Sequence, residues 1–278
     1  YTFYLSPSEY GVVSELYAVV AFLLVLLTCG METAFFKFFN DKEDKDAVFK
    51  NSFLTVIGLN VLFLIVLLFF NQSLADLMLY SDHNEYIILL GIIVSIDAIS
   101  ALPMAKLRSE NKALKFSIIH FSAIGVNIAL NLILMIFVFD PNHPEEGVLF
   151  ILFANLLSSL VKPIGTYKDF LGIKLAYNVE LAKEMLKYAY PLVIAGFAGI
   201  INETIDRVML KQLLFSKGHM TLKAAEAQLG IYSACYKLAM IVWCKQAFHC
   251  RLSQNHRTGL LPTFHLPGSV TARERHPA

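Results

Sequence analysis

Long apolar stretches separated by short polar segments make up most of the chain as far as residue 248. A helix that crosses the hydrocarbon core of a bilayer needs about 20 mostly apolar residues. Apolar and polar residues rarely alternate within the stretches, which is unlike the strands of a membrane β-barrel. The pattern therefore predicts an all-α polytopic membrane protein, with residues 1–5 as the end of an earlier helix. The predicted spans are seven: 16–36, 49–70, 86–105, 114–139, 148–161, 188–214 and 229–248.

The polar segments between these stretches differ sharply in positive charge. Residues 5–15, 71–85 and 140–147 contain no lysine or arginine, whereas the alternate segments contain thirteen. Basic loops stay on the cytoplasmic side of a membrane, so the charge-free segments are predicted to lie outside. Three lysines break this alternation, because they lie near or beyond the end of a span that should end outside. The cytoplasmic set is Lys37, Lys42, Lys45, Lys50, Lys106, Arg108, Lys112, Lys115, Lys162, Lys168, Lys174, Lys183 and Lys187, and the exceptions are Lys211, Lys217 and Lys223.

Composition supports a membrane protein and excludes several functions. Hydrophobic residues make up 56% of the chain and charged residues 16%, whereas a soluble domain carries about 25% charged residues. The net charge of +1 is too small to indicate a basic surface that binds nucleic acid. The four cysteines form no CxxC pair, and Walker A, GxSxG and HExxH motifs are absent. We therefore expect no metal, no cofactor, no catalytic residues and no ATP hydrolysis, and we expect that the protein is not an enzyme.

A short motif occurs twice. The pattern Gly-x-x-Ser-x-x-Tyr begins at Gly11 and again at Gly230, each time at the predicted outer end of a span. If residues 1–5 belong to helix one, these spans are helices two and eight. Transporters are often built from duplicated halves, so the repeat favours two lobes of about six helices each.

Five motifs in order carry a resemblance to a known family. The segment from Tyr4 to Gly11 resembles the L-(S/T)-P-x-E-Y-G opening of bacterial polysaccharide exporters, and Gly30 begins a segment similar to their G-x-x-T-A-x-x-R-F motif. Lys37 stands where that family usually has arginine, which keeps the charge but loses the planar fork. The other three are Leu186-Lys-Tyr-Ala-Tyr-Pro-Leu192, Ile205-Asp-Arg-Val-Met-Leu210 and Gly230-x-Tyr-Ser-x-x-Tyr-Lys237.

Together the motifs, over residues 3–248, resemble the oligosaccharide flippase (polysaccharide transporter) branch of the multidrug/oligosaccharidyl-lipid/polysaccharide exporter superfamily. The resemblance implies two helical lobes facing a central cavity in the bacterial inner membrane. It implies export of a lipid-linked oligosaccharide of the polyprenyl pyrophosphate type, as in O-antigen and lipopolysaccharide synthesis. A coupling proton or cation and the membrane lipids are the other expected partners.

The resemblance also implies a division of the chain. Residues 1–178 correspond to the first lobe, from the end of helix one to helix six, and residues 179–248 to helices seven and eight. We therefore expect a truncated member whose second lobe is incomplete. Residues 249–278 contain no lysine, four arginines and four of the eight histidines, with no apolar run. We expect this segment to be a disordered or non-native tail.

Charged residues inside the predicted spans are the candidates for a substrate site, since an ionised side chain facing lipid costs about 2.5–3.5 kcal/mol. Glu203, Asp206 and Arg207 share one helix face at i, i+3 and i+4. Lys237 is expected at a similar depth in the next span. Arg207 and Lys237 suit the attraction of a pyrophosphate, with Asp206 and Glu203 holding them in place. The alternative is an ion pair of Asp206 with Lys237 that only fixes packing.

Three further charges are candidates. Asp97 lies in the middle of a span, where it would bind a coupling proton or cation, or simply form an interior hydrogen bond. Glu32 and Lys37 lie near a cytoplasmic helix end, and Lys37 would either guide a phosphate or extend to the lipid headgroups. The interior asparagines, among them Asn127 and Asn155, are expected to join neighbouring helices.

Two other functions stay open. A cation-coupled multidrug antiporter of the same superfamily would depend more on Asp97 than on Arg207 and Lys237. A membrane-embedded glycan polymerase or ligase would need a sizeable outer loop for its catalytic groups. The predicted outer segments 71–85 and 140–147 are short for that purpose.

Overall fold

The computed structural model describes residues 5–80, 83–139, 145–168, 177–216 and 220–258, with the backbone alone for 145 and 241–258. Within these ranges the chain is helical and contains no β-strand, which confirms the predicted all-α membrane fold. A five-residue π-helical segment, Leu134–Val138, extends the fifth helix. The α-helices are α1 (Pro7–Thr28), α2 (Met31–Asp41), α3 (Lys45–Leu77), α4 (Asn84–Ser109), α5 (Ala113–Ile133), α6 (Glu145–Gly165), α7 (Val179–Ser216) and α8 (Leu222–Thr258).

Six helical stretches in the described ranges are long and apolar enough to cross a membrane. They correspond to the first six predicted spans, with α1 and α2 forming one stretch and the π segment completing α5. The seventh predicted span, 229–248, lies within α8, and its side chains beyond Met240 are outside the described residues. The six stretches are Pro7–Asp41, Lys45–Leu77, Asn84–Ser109, Ala113–Val138, Glu146–Gly165 and Val179–Ser216.

The polar segment before α1 is a helix start. The Ser6 hydroxyl accepts a hydrogen bond from the backbone N–H of Glu9 at 3.4 Å, and the Glu9 carboxylate accepts one from the Ser6 N–H at 2.9 Å. Pro7 occupies the first helical position, where its missing N–H costs nothing. The Ser-Pro-x-Glu part of the first exporter-like motif is thus a capping box that fixes where α1 begins.

The first span contains a break that the apolar pattern did not predict. Cys29 and Gly30 both adopt the left-handed conformation, with φ of 47° and 63°, between α1 and α2. A Cβ on Gly30 would lie 3.2 Å from the carbonyl oxygen of Ala189 in α7. Glycine suits this position for two reasons: its φ is positive, and the neighbouring backbone leaves little room for a Cβ. The predicted span over 16–36 lies within the stretch Pro7–Asp41, and the structure adds a break at residues 29–30.

Two buried clusters hold the helices together around the α1–α2 pair. The first cluster joins α1 to α3, α4 and α6, and Leu16, Val94 and Ile151 are its central residues. The second joins α2 to α3, α4 and α7, with Phe35 and Met185 at 0% exposure. Helix α5 instead exposes large apolar side chains along its length, as a face in contact with lipid does: Leu114, Ile118, Phe121, Ile124 and Ile128.

Polar side chains join α5 to α6. The amide of Asn127 donates to the Asn155 side-chain oxygen at 3.3 Å, and the Ser158 hydroxyl donates to the Ala123 carbonyl at 2.9 Å. These contacts confirm that Asn127 and Asn155 join neighbouring helices.

The chain forms two compact units, Tyr1–Ser233 and Ala234–Ala278. The first contains α1 to α7 and the beginning of α8; the second contains the remainder of α8. The helix continues through 249–258, the first ten residues of the predicted tail, and residues 259–278 lie outside the described residues. The lobe boundary at 178/179 and the non-native origin of the tail stay predictions.

Candidate functional site

The three charges predicted on one face of α7 have different surroundings. Glu203 is exposed, whereas Asp206 and Arg207 are half-buried. The Asp206 carboxylate accepts a hydrogen bond from the Tyr232 hydroxyl of α8, and its other oxygen accepts the backbone N–H of Arg207 at 2.8 Å. Asp206 is therefore bound to the neighbouring helix through a tyrosine.

Lys237 belongs to the second unit, whereas Arg207 belongs to the first. The structure therefore does not test whether Arg207 and Lys237 act on one substrate, and that pairing stays a prediction. The alternative ion pair between Asp206 and Lys237 stays untested for the same reason.

Asp97 forms an ion pair inside the first unit. Its carboxylate accepts a hydrogen bond from the Lys162 ammonium of α6 at 2.7 Å, and both side chains are largely buried. Asp97 is predicted either to bind a coupling ion or to form an interior hydrogen bond, and the structure shows the interior hydrogen bond. A coupling ion at Asp97 would have to displace or share this partner.

Glu32 and Lys37 lie at the predicted cytoplasmic end of the bundle. Glu32 forms an ion pair with Arg108 at the end of α4. The Lys37 ammonium lies 4.0 Å from the centre of the Tyr188 ring, which is within cation–π range. Lys37 is exposed and therefore open to an anion as well as to the aromatic ring.

Among the described side chains, the most deeply buried charge is not one of the candidates predicted from the sequence. Lys211 of α7 has no exposed side-chain surface, and its ammonium lies 2.9 Å from a Glu15 oxygen of α1. It also donates to the carbonyl oxygen of Met78 at 3.2 Å and lies 3.7 Å from the Tyr80 ring centre. A second carboxylate, that of Glu226 in α8, approaches it to 3.6 Å.

We define the buried ionic cluster as Glu15, Tyr80, Lys211 and Glu226. Two hydroxyl groups donate to its carboxylates, one from Tyr80 and one from Ser8 outside the cluster. The Tyr80 hydroxyl donates to Glu15 at 2.5 Å, and the Ser8 hydroxyl donates to Glu226 at 3.1 Å. Burial, reinforced by the Glu15 carboxylate, raises the pKa of the Tyr80 phenol well above its ordinary value. Tyr80 is therefore a neutral hydrogen-bond donor at physiological pH.

The second carboxylate of the cluster is less well stabilised. Burial raises the pKa of Glu226, although the Lys211 ammonium and the Ser8 hydroxyl act in the opposite direction. With both glutamates ionised, the cluster carries two negative charges against one positive charge. An uncompensated buried charge is costly, so the cluster favours a proton on one carboxylate.

One signal could have identified Lys211. It lies four residues after Arg207, and therefore extends the charged face of α7 by one turn. By its position near the end of a span, however, Lys211 groups with Lys217 and Lys223, the loop lysines that break the charge alternation. The assignment to a loop is wrong, because α7 continues to Ser216. The Lys211 charge is compensated by buried carboxylates.

The two Gly-x-x-Ser-x-x-Tyr motifs meet beside this cluster. A Cβ on Gly11 would lie 2.0 Å from the carbonyl oxygen of Glu226, and a Cβ on Gly230 would lie 1.9 Å from that of Pro7. In both cases the carbonyl belongs to the residue four positions before the partner glycine. The two copies of the motif therefore meet at a close crossing of α1 and α8. The duplication of a six-helix lobe stays a prediction.

We expect Gly230→Ala to destabilise this helix crossing. The added methyl group would overlap a backbone oxygen rather than a movable side chain, so the helices must separate, at a cost of about 1–3 kcal/mol. Gly125 and Gly199 are matched helical controls, because nothing lies within 4 Å of a Cβ there. Thermal unfolding of the purified variants should therefore separate Gly230→Ala from Gly125→Ala and Gly199→Ala. Equal melting temperatures for all three would contradict the close crossing.

Metal binding has no support in the part of the chain that the structure describes. No group of three or more histidine, cysteine, aspartate or glutamate side chains is arranged to hold an ion there. The carboxylates of the buried ionic cluster instead face Lys211.

The helices, the apolar outer faces and the internal charges define the class: a multi-pass α-helical membrane protein with ionic contacts buried between helices. The sequence profile of the polysaccharide biosynthesis protein family matches residues 1–248. The chain therefore belongs to that family. No curated protein and no solved structure matches the chain.

Proposed function

We propose that this protein is a flippase that moves a lipid-linked oligosaccharide across the bacterial inner membrane. Membership of the polysaccharide biosynthesis protein family over residues 1–248 is the observation that carries the proposal. The substrate class that suits the residues is a polyprenyl pyrophosphate-linked sugar, as in O-antigen and lipopolysaccharide synthesis. The protein acts as a transporter and not as an enzyme.

The internal charges support this role. Arg207 is half-buried on α7, and arginine offers two parallel donors to a phosphate. At the predicted cytoplasmic end, Lys37 lies over the rings of Phe38 and Tyr188. Arg108, which forms an ion pair with Glu32, lies over the ring of Phe36. A cationic and aromatic entrance suits a ligand that carries both a diphosphate and sugar rings. Arg207 and Lys237 then attract the diphosphate within the membrane, and Asp206 and Glu203 position them.

The antiporter alternative receives less support. It depends on Asp97 as an ion site, and the Asp97 carboxylate already has Lys162 as a partner at 2.7 Å. A polymerase or ligase would need a catalytic loop, and the described part of the segment between α3 and α4 is only a short connection.

Deleting the gene that encodes this chain tests the proposal. We expect cells to lose the surface polysaccharide and to accumulate its lipid-linked precursor on the cytoplasmic side, because assembly would continue while transport stops. Mass spectrometry of extracted lipids identifies the precursor, and a plasmid copy of the gene should restore export. Loss of the polysaccharide without any lipid-linked precursor would contradict a flippase and favour an enzyme that assembles the precursor.

A further inference from the structure

The buried ionic cluster joins helices on both sides of the predicted lobe boundary. Glu15 and Tyr80 come from the segment assigned to the first lobe, and Lys211 and Glu226 come from the segment assigned to the second. Breaking these contacts is therefore a condition for separating α1 from α7 and from the beginning of α8. The reciprocal approach of Gly11 and Gly230 lies in the same junction.

The predicted orientation places this junction at the outer face. Met78 and Tyr80 belong to the segment 71–85, which contains no lysine or arginine and is predicted to lie outside. Ser8 lies in the first turn of α1, and Glu226 lies near the beginning of α8. A transporter must open this face to release its substrate, so the inference rests on the proposed function.

The two carboxylates of the cluster are not equivalent. Glu15 accepts hydrogen bonds from both Lys211, at 2.9 Å, and Tyr80, at 2.5 Å. Glu226 lies 3.6 Å from the Lys211 ammonium and accepts a hydrogen bond from the Ser8 hydroxyl at 3.1 Å. The charged form of Glu15 therefore has the better partners, and Glu226 is the group on which a proton relieves the excess negative charge.

We propose that Glu226 is a proton-binding site that latches the outer junction closed. With a proton on Glu226, the buried cluster consists of one ion pair, Lys211 with Glu15, and is electrically neutral. Without that proton, the closed junction contains an uncompensated negative charge away from water. Separation of the helices lets water solvate both carboxylates and removes this cost.

The direction of the pH dependence follows from proton linkage. In the separated junction Glu226 is solvated and has the ordinary affinity of a glutamate for protons. In the closed junction burial raises the pKa of Glu226, so the closed form binds more protons. The contribution to closure is complete below the ordinary glutamate pKa. It is lost as the pH rises through the raised pKa of the closed form.

Distance measurement between spin labels tests the latch in the complete chain. Ser73 at the end of α3 and Ala224 in α8 are both exposed, and labels there report on the outer junction. The native cysteines Cys29, Cys235, Cys244 and Cys250 would first be replaced by serine. In lipid nanodiscs, the ratio of the separated to the closed population should rise about threefold or more between about pH 4, below the ordinary glutamate pKa, and about pH 8.

Three variants test whether the excess negative charge of the cluster is the cause. Glu226→Gln resembles the protonated side chain and should stay closed over the whole pH range. Glu15→Gln leaves a single ion pair without excess charge, so it should also stay closed at the higher pH. Glu146→Gln changes an exposed glutamate of α6, also predicted to lie outside, and should titrate like the unmodified chain.

Two results would contradict the latch. A distance distribution in the unmodified chain that does not change with pH would overturn the latch, and so would normal pH dependence in Glu226→Gln. The measurement needs no sugar and no export, so its result is independent of the gene-deletion test. Failure of the flippase proposal would therefore leave the behaviour of the junction measurable, and failure of the latch would leave the flippase proposal standing.

Discussion

Export of the lipid-linked sugar should fail when Arg207 is replaced by alanine, although the protein should still insert into the membrane. A charge-assisted hydrogen bond is worth about 1.5–3 kcal/mol, so losing a bidentate contact should weaken phosphate binding by about tenfold or more. Arg207→Lys should retain part of the activity, because the charge survives but the planar fork does not. The measurement is the amount of surface polysaccharide in cells that carry each variant.

Two comparisons separate substrate binding from a structural role. Lys183→Ala removes an exposed cation from the same helix and should leave export unchanged. Exchange of Asp206 and Arg207 keeps both charges on α7, so it should be as damaging as Arg207→Ala if the arginine binds substrate. Normal export by the double variant Arg207→Ala/Lys237→Ala would contradict the proposed site and show that these cations only support the helices.

Lys211→Met should cause a large loss of stability. The substitution leaves Glu15 and Glu226 facing each other without a cation, in a place where Lys211 has no exposed surface. Removing one partner of a buried ion pair typically costs about 3–5 kcal/mol, because the other charge stays buried and uncompensated. Thermal unfolding in detergent measures the loss, and Lys223→Met is a matched exposed control.

Removing the carboxylates as well should restore much of that stability. The triple variant Lys211→Met/Glu15→Gln/Glu226→Gln contains no buried charge in the cluster, and replacing a whole ionic group is often close to neutral. A melting temperature no higher than that of Lys211→Met alone would show that the charges are not the cause of the loss. A Lys211→Met variant as stable as Lys223→Met would contradict the cluster itself.

The sequence by itself determined the fold class and the position of the membrane helices. Apolar stretches of about 20 residues have few alternatives to a membrane helix, because backbone groups in lipid must form hydrogen bonds within their own segment. The start of α1 was also encoded locally, since Ser6, Pro7 and Glu9 cap the helix with neighbouring atoms. The exporter-like motifs led to the family that the profile match shows over residues 1–248.

Contacts between distant segments decided the break in the first span and the buried ionic cluster. The break at Cys29 and Gly30 lies against Ala189, which belongs to a helix far along the chain. Glu15 and Lys211 are 196 positions apart, and no local pattern pairs them. An isolated lysine near a span end has the same sequence signature whether it faces water, headgroups or a buried carboxylate. Only the tertiary structure brings two carboxylates to one ammonium, because burial and charge compensation are properties of the packed helices and not of any one of them.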